Sequence, residues 1–221
     1  MVEITRENLT QFNNEGFFVA KGLLDPEIDL GPIKAEYKEV LDNAVSDLQA
    51  RGIIKNNYME LPFEKRISQV LEESDGELNK YLDITLPQKD INSQTPMHCG
   101  PAAFNLIRNS KLLDAVEQFI GSEIYSNPTQ HVRIKPPAHY LAGTTRVLSE
   151  IDTTVWHQDA GTGTSDADHT NILTVWISVT EASKENGCLV VAPKSHRKGL
   201  ALHCHDKRAN YSRQSIPERL I

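Results

Sequence analysis

Within "TVWHQDAGTG", residues 154–163, an imidazole and a carboxylate stand two positions apart, at His157 and Asp159. In an extended strand, side chains at i and i+2 share one face and the one between them points away. Read that way, His157 and Asp159 converge on one point and Gln158 turns to the other side. Imidazole nitrogen and carboxylate oxygen are both donors that first-row divalent metals accept, and an iron site needs such convergence. A structural pair uses the same geometry, so the spacing alone leaves both readings open. A second concentration of donors is "HCH", His203, Cys204 and His205, whose two histidines share a face if the run is a strand.

These residues lie in the second half of the chain, which is rich in β signals. "EIYSNPTQHVRIKPP", "TTVWHQD", "NILTVWISVT" and "GCLVVAP" are short runs separated by Gly, Pro and Asn, the texture of a sandwich or barrel. In "ILTVWISV", Leu173, Val175 and Ile177 alternate with Thr174, Trp176 and Ser178, so the second set shares a face. The first half reads as helical. Thr5 and Asn8 suit a cap for a short helix that Gly16 ends, and "FFVAKGLL" reads as a strand. From Pro32 to about Ala50, apolar residues at Ile33, Tyr37, Val40, Leu41, Ala44, Val45 and Leu48 predict an amphipathic helix. Further helices are expected around Phe63–Leu71 and Gly76–Leu82. A single helix is expected over "AAFNLIRNSKLLDAVEQFIG", with Leu112, Leu113, Val116 and Phe119 on one face. The stretch from Leu86 to Gly100 reads as an exposed loop.

The 221 residues make one sizeable domain, with 39% apolar and 24% charged residues, an ordinary balance for a globular chain. A net charge of −7 argues against nucleic acid and against anionic membrane surfaces as partners. No apolar run approaches the roughly 20 residues of a membrane span, and no signal peptide opens the chain. Three scattered cysteines, Cys99, Cys188 and Cys204, suit reduced thiols and a cytoplasmic setting. There is no internal repeat and no low-complexity tract.

Four features in order carry a resemblance: the His157/Asp159 pair, Trp176 in the next β-rich run, the "ENGCL" turn at Glu185–Leu189, and "PKSHRKG" at Pro193–Gly199. Together with "NNEGFFVAKGLLD" and "SEIYSNPTQHVRIKPP", the set resembles the phytanoyl-CoA dioxygenase family of iron(II)- and 2-oxoglutarate-dependent oxygenases. The resemblance covers most of the chain and implies an α+β fold. Its centre would be a double-stranded β-helix (a jelly-roll or cupin-like barrel) with helices packed outside. It implies hydroxylation of a small organic molecule by O2, with 2-oxoglutarate converted to succinate and CO2. His157 and Asp159 would then be two of the three iron ligands of a two-histidine, one-carboxylate site. A carboxylate at Asp159, where a small residue would admit halide, implies hydroxylation in preference to halogenation.

The resemblance places Trp176 near 2-oxoglutarate; an aromatic packed between sheets is the other reading of it. It also places His131 where the co-substrate is touched, against the alternative of a solvated strand residue. His196 is expected to stabilise its loop, Gly187 to form a tight turn, and Cys188 to be a packed thiol. The family's third ligand follows a Gly-Asp turn, with an arginine beyond it that grips the far carboxylate of 2-oxoglutarate. No such segment precedes the terminal "SIPERLI". Either His203 or His205 is an unusual third ligand, or the barrel is incomplete in these 221 residues, which would leave them inactive alone. Two further classes stay open: a cupin-like metal enzyme that does not use 2-oxoglutarate, and a non-catalytic small-molecule or metal-binding protein. The sequence leaves the substrate and the oligomeric state unspecified.

Overall fold

The computed structural model describes residues 3–86, 91–127, 130–135, 154–161, 171–205 and 214–221. Helix α1 (Arg6–Glu15) is delimited by its own sequence. Thr5 Oγ1 accepts the Asn8 N–H at 3.2 Å, and Asn8 Oδ1 accepts the Thr5 N–H at 3.0 Å, a reciprocal cap. Gly16 ends the helix at φ 86°, donating its N–H to Phe12 O.

The following "FFVAKGLL" is not a strand: it has no ladder partner among the described residues and turns at Lys21–Gly22. What fixes it is aromatic packing. Phe18 stacks on Phe119 with centroids 5.3 Å apart, and Phe12 of α1 meets the same ring edge-on at 4.8 Å.

Helix α2 (Gly31–Ala50) is the centre of the helical layer. Its buried residues Ile33, Tyr37, Leu41, Ala44, Val45 and Leu48 follow the helical period and face α3 (Phe63–Glu73), α4 (Asn79–Leu82) and α5 (Pro101–Ile107). Leu41, Leu48, Val70, Leu71, Leu78 and Leu82 are fully enclosed there. Buried side chains of this size each contribute about 1.5–3 kcal/mol by leaving water. Tyr37 places its polar end inside the same core, its hydroxyl donating to Leu82 O at 2.7 Å. Arg66 is buried as well; its guanidinium pairs with Asp42 and donates through Nε to Asn57 O at 2.9 Å.

The run expected as one helix from Ala102 to Gly121 is two. α5 ends at Ile107, and α6 (Ser110–Ile120) restarts after Asn109. The Asn109 side chain accepts the N–H groups of Lys111 and Leu112, and its amide donates to Asp29 Oδ1 at 2.9 Å. A residue that caps so well competes with the helix passing through it. On α6 the buried positions are Leu112 and Ala115, and Leu113 and Val116 are only part-buried.

The second half of the chain is attached to the helices through Val132, Ile134, Ile177 and Val179, which pack on the helical core. Among the described residues the sheet consists of β1 (Cys204–His205) and β2 (Gln214–Ser215), antiparallel, with Cys204 opposite Ser215. Gly187 turns at φ 78°, as the tight-turn reading requires, while Cys188 is half-buried and less enclosed than expected. The "PKSHRKG" loop is docked on the end of α1. Lys194 N–H donates to Glu15 O at 2.8 Å, His196 Nε2 to Asn13 O at 3.1 Å, and Arg197 to Asn14 Oδ1 at 2.9 Å. His196 thus stabilises its loop. Among the described residues no helix is long and apolar enough to cross a membrane.

Candidate metal centre

The segment carrying His157 and Asp159 bends at Trp156 and folds after Gln158 into a single 3-10 turn, Asp159–Gly161. Gly161 N–H closes that turn on Gln158 O at 2.9 Å, and Trp156 O accepts the Ile216 N–H at 2.7 Å. The turn changes the expected geometry. On a strand, Cα atoms at i and i+2 are separated by roughly 6.5 Å; here the chain curls and brings His157 Nε2 to 3.2 Å from Asp159 Oδ1. Convergence comes from the bend after Gln158 rather than from a shared strand face.

The protonation pattern follows from the partners. His157 Nδ1 lies 2.8 Å from Val155 O, and a carbonyl only accepts, so Nδ1 carries the hydrogen. Nε2 is thus the nitrogen directed at Asp159, hydrogen-bonded to Oδ1, and the ring atom that a metal would take in place of a proton. Asp159 accepts at its other oxygen, Oδ2, from the Thr174 hydroxyl. The hydrogen bond with His157, with Thr174 adding to it, holds the Asp159 carboxyl below the usual carboxylate range despite partial burial.

An imidazole nitrogen and an anionic oxygen 3.2 Å apart match what one metal ion needs of two neighbouring ligands. With metal–donor distances of about 2.1 Å, adjacent donors at right angles stand about 3 Å apart. The donor types, one imidazole and one carboxylate, suit a divalent first-row metal, and both face a part-exposed surface that admits ligands. The pair fits iron(II). Among the described residues no cluster of three or more His, Cys, Asp or Glu side chains gathers around it.

The other residues singled out by the sequence lie as follows. Trp176 is half-exposed on the run 171–179, two positions from Thr174, which reaches Asp159. His131 is tied to the helical layer: its Nδ1 lies 2.8 Å from Asp83 Oδ2, and the same carboxylate accepts the Val132 N–H at 3.0 Å. His205 is in β1, opposite Gln214. His203 has both ring nitrogens engaged with backbone, Nδ1 at 2.8 Å from Ala201 O and Nε2 at 2.9 Å from Gln158 N. Thr174 is the contributor that sequence reasoning passed over. Its signal was present in the alternation that put it on one face with Trp176.

The residue between the two donors is unusually well held. Gln158 Nε2 donates to Gly199 O at 3.0 Å, and Gln158 Oε1 accepts the Ala201 N–H at 2.7 Å. One side chain thus binds the backbone of the 199–201 segment at two points, as a neighbouring strand would.

Compared with known families, the chain matches the family model for phytanoyl-CoA dioxygenase over residues 12–217 of its 221. No curated protein and no solved structure matches it.

Proposed function

Because the chain belongs to the phytanoyl-CoA dioxygenase family, whose members are oxygenases of the Fe(II)/2-oxoglutarate type, we propose that it hydroxylates a small organic molecule. O2 and 2-oxoglutarate are consumed and succinate and CO2 released. The observation that carries this reading is the facing of His157 Nε2 and Asp159 Oδ1 at 3.2 Å, with Nδ1 of the imidazole held by Val155 O. The proposed scaffold is the family's double-stranded β-helix, with α1–α6 packed outside it.

Iron(II), when bound, supplies the centre at which O2 is activated and 2-oxoglutarate is decarboxylated. The chain's own contribution is orientation. Val155 O keeps a hydrogen of His157 on Nδ1, so Nε2 is the nitrogen turned toward Asp159 and left to serve as a ligand. Thr174 donates to Asp159 Oδ2, so the oxygen turned toward His157 is Oδ1. Trp176 and His131 are the proposed co-substrate residues, Trp176 two positions from Thr174 and His131 from its anchor on Asp83. The carboxylate at position 159 fills the place a halide would need, so the proposed product carries a hydroxyl group.

The test is conversion of 2-oxoglutarate to succinate by the full-length protein with Fe(II). Conversion should be abolished in His157→Ala and Asp159→Ala, with the fold intact by circular dichroism. Near-wild-type succinate formation by either variant would overturn the site, and metal-dependent turnover without 2-oxoglutarate consumption would favour a cupin-like metal enzyme.

A further inference from the structure

We propose that His203 is a positioning residue for the His157–Asp159 pair: its imidazole fixes the peptide between them by accepting the Gln158 N–H. The partners define the ring. Nδ1 faces Ala201 O at 2.8 Å and must carry the hydrogen, so Nε2 is the acceptor for Gln158 N–H at 2.9 Å. A histidine in this state donates at one end and accepts at the other, and it links two backbone segments 45 residues apart in sequence.

The peptide it holds joins His157 to Gln158. Peptide units are planar, so aiming this N–H at a fixed acceptor sets the two backbone torsions on either side of it. Those torsions decide where the His157 and Asp159 side chains point relative to each other. At the far side, Gln158 O is held by Gly161 N–H at 2.9 Å, and the Gln158 side chain is held by Gly199 O and Ala201 N. The only acceptor for the amide on the ligand side of Gln158 among the described contacts is His203. Shape supports the same role. A Cβ on Gly161 would overlap the His203 ring, so the glycine is what lets the imidazole approach the turn. Its φ lies outside the left-handed region, so backbone freedom gives no separate reason for glycine there.

The inference rests on His157 and Asp159 being metal ligands, and the experiment separates failure of that reading from failure of this one. The full-length apoprotein is titrated with Co(II) by calorimetry, and exchange of the Gln158 amide is followed by NMR without metal. His203→Asn keeps a donor for Ala201 O but loses the acceptor for Gln158 N–H; His203→Gln places an oxygen near the lost Nε2. The expected result is a Co(II) affinity about 10- to 100-fold lower in His203→Asn, the range for loss of groups that orient ligands. Gln158 exchange should be faster there, and His203→Gln should restore both readouts. Gly161→Ala, which alters no hydrogen-bonding group, should reproduce the His203→Asn result by displacing the ring, and decides the matter if His203→Asn does not fold. Wild-type Co(II) affinity in both His203→Asn and Gly161→Ala overturns the proposal. So does a His203→Gln affinity as low as that of His157→Ala, which would make His203 a ligand. Unchanged affinity in His157→Ala would overturn the metal-site reading itself, and this inference with it.

Discussion

Thr174 gives its hydroxyl hydrogen to Asp159 Oδ2, the carboxylate oxygen that does not face His157. The two oxygens of one side chain therefore have separate tasks, one toward the imidazole and one toward the neighbouring run of chain. Hydroxyl groups that hold a ligating carboxylate this way set which oxygen is offered and at what angle.

Thr174→Val keeps the shape of the side chain and removes the donor. Metal affinity of the full-length protein should fall about tenfold, with little change in melting temperature because Thr174 is exposed. Calorimetric titration of the apoprotein beside a thermal melt checks both halves. Unchanged affinity would make the hydroxyl incidental.

Glu36 should show its worth only above acidic pH. Burial alone pushes its carboxyl up, but hydrogen bonds from His98 and from the Ala102 and Ala103 amides outweigh that and hold it below its ordinary value. A depressed carboxylate contributes stability that is fully present above the unfolded value of about 4.3 and lost as pH falls through the lower folded one. Glu36→Gln should therefore lower the unfolding free energy by about 1.5–3 kcal/mol at pH 7. The difference from wild type should shrink below about pH 4, as urea melts across that range would show.

Asn109→Ala should destabilise the protein by about 1–2 kcal/mol through the lost cap of α6. The bond to Asp29 disappears with it, so the loss should sit at the upper end of that range. Amide exchange at Lys111 and Leu112 should quicken more than at α2, which localises the effect.

In the proposed site the Asp159 carboxylate takes the place a halide would need, so the product should carry hydroxyl even in concentrated chloride. Mass spectrometry of product formed with and without chloride distinguishes the outcomes. A chlorinated product from the unaltered protein would remove Asp159 from the proposed ligand set.

What could be read from sequence follows the range of the interactions. The Thr5–Asn8 cap, the Gly16 stop and the buried stripe of α2 depend on residues a few positions apart, and they were legible. The pairing of His157 with Asp159 was legible too, but not its cause, because the 3-10 turn is fixed by Gly161 and by contacts from distant chain. Asn109 was misread because the apolar period continues across it, whereas its side chain finds a better use in capping. "FFVAKGLL" has strand composition, yet packing against Phe119 decides its conformation. The roles of Val155 O, His203 and Gln158 could not be read, since a tautomer or a clamp is defined by partners that only the fold supplies.

The docking of Lys194, His196 and Arg197 on the last turn of α1 also has a consequence in time. His196 and the Asn13 carbonyl it meets are 183 residues apart. A ribosome adding about 5–20 residues per second needs roughly 10–40 s to cover that distance. Throughout this interval α1 is complete, but the partners for the ends of its last turn have not been made. The carbonyls of Asn13 and Glu15 then face water or any nascent segment that reaches them. Closure of this contact waits on synthesis of residue 196; before then, among the described contacts, α1 has its own caps and, once Phe119 is made, an aromatic neighbour.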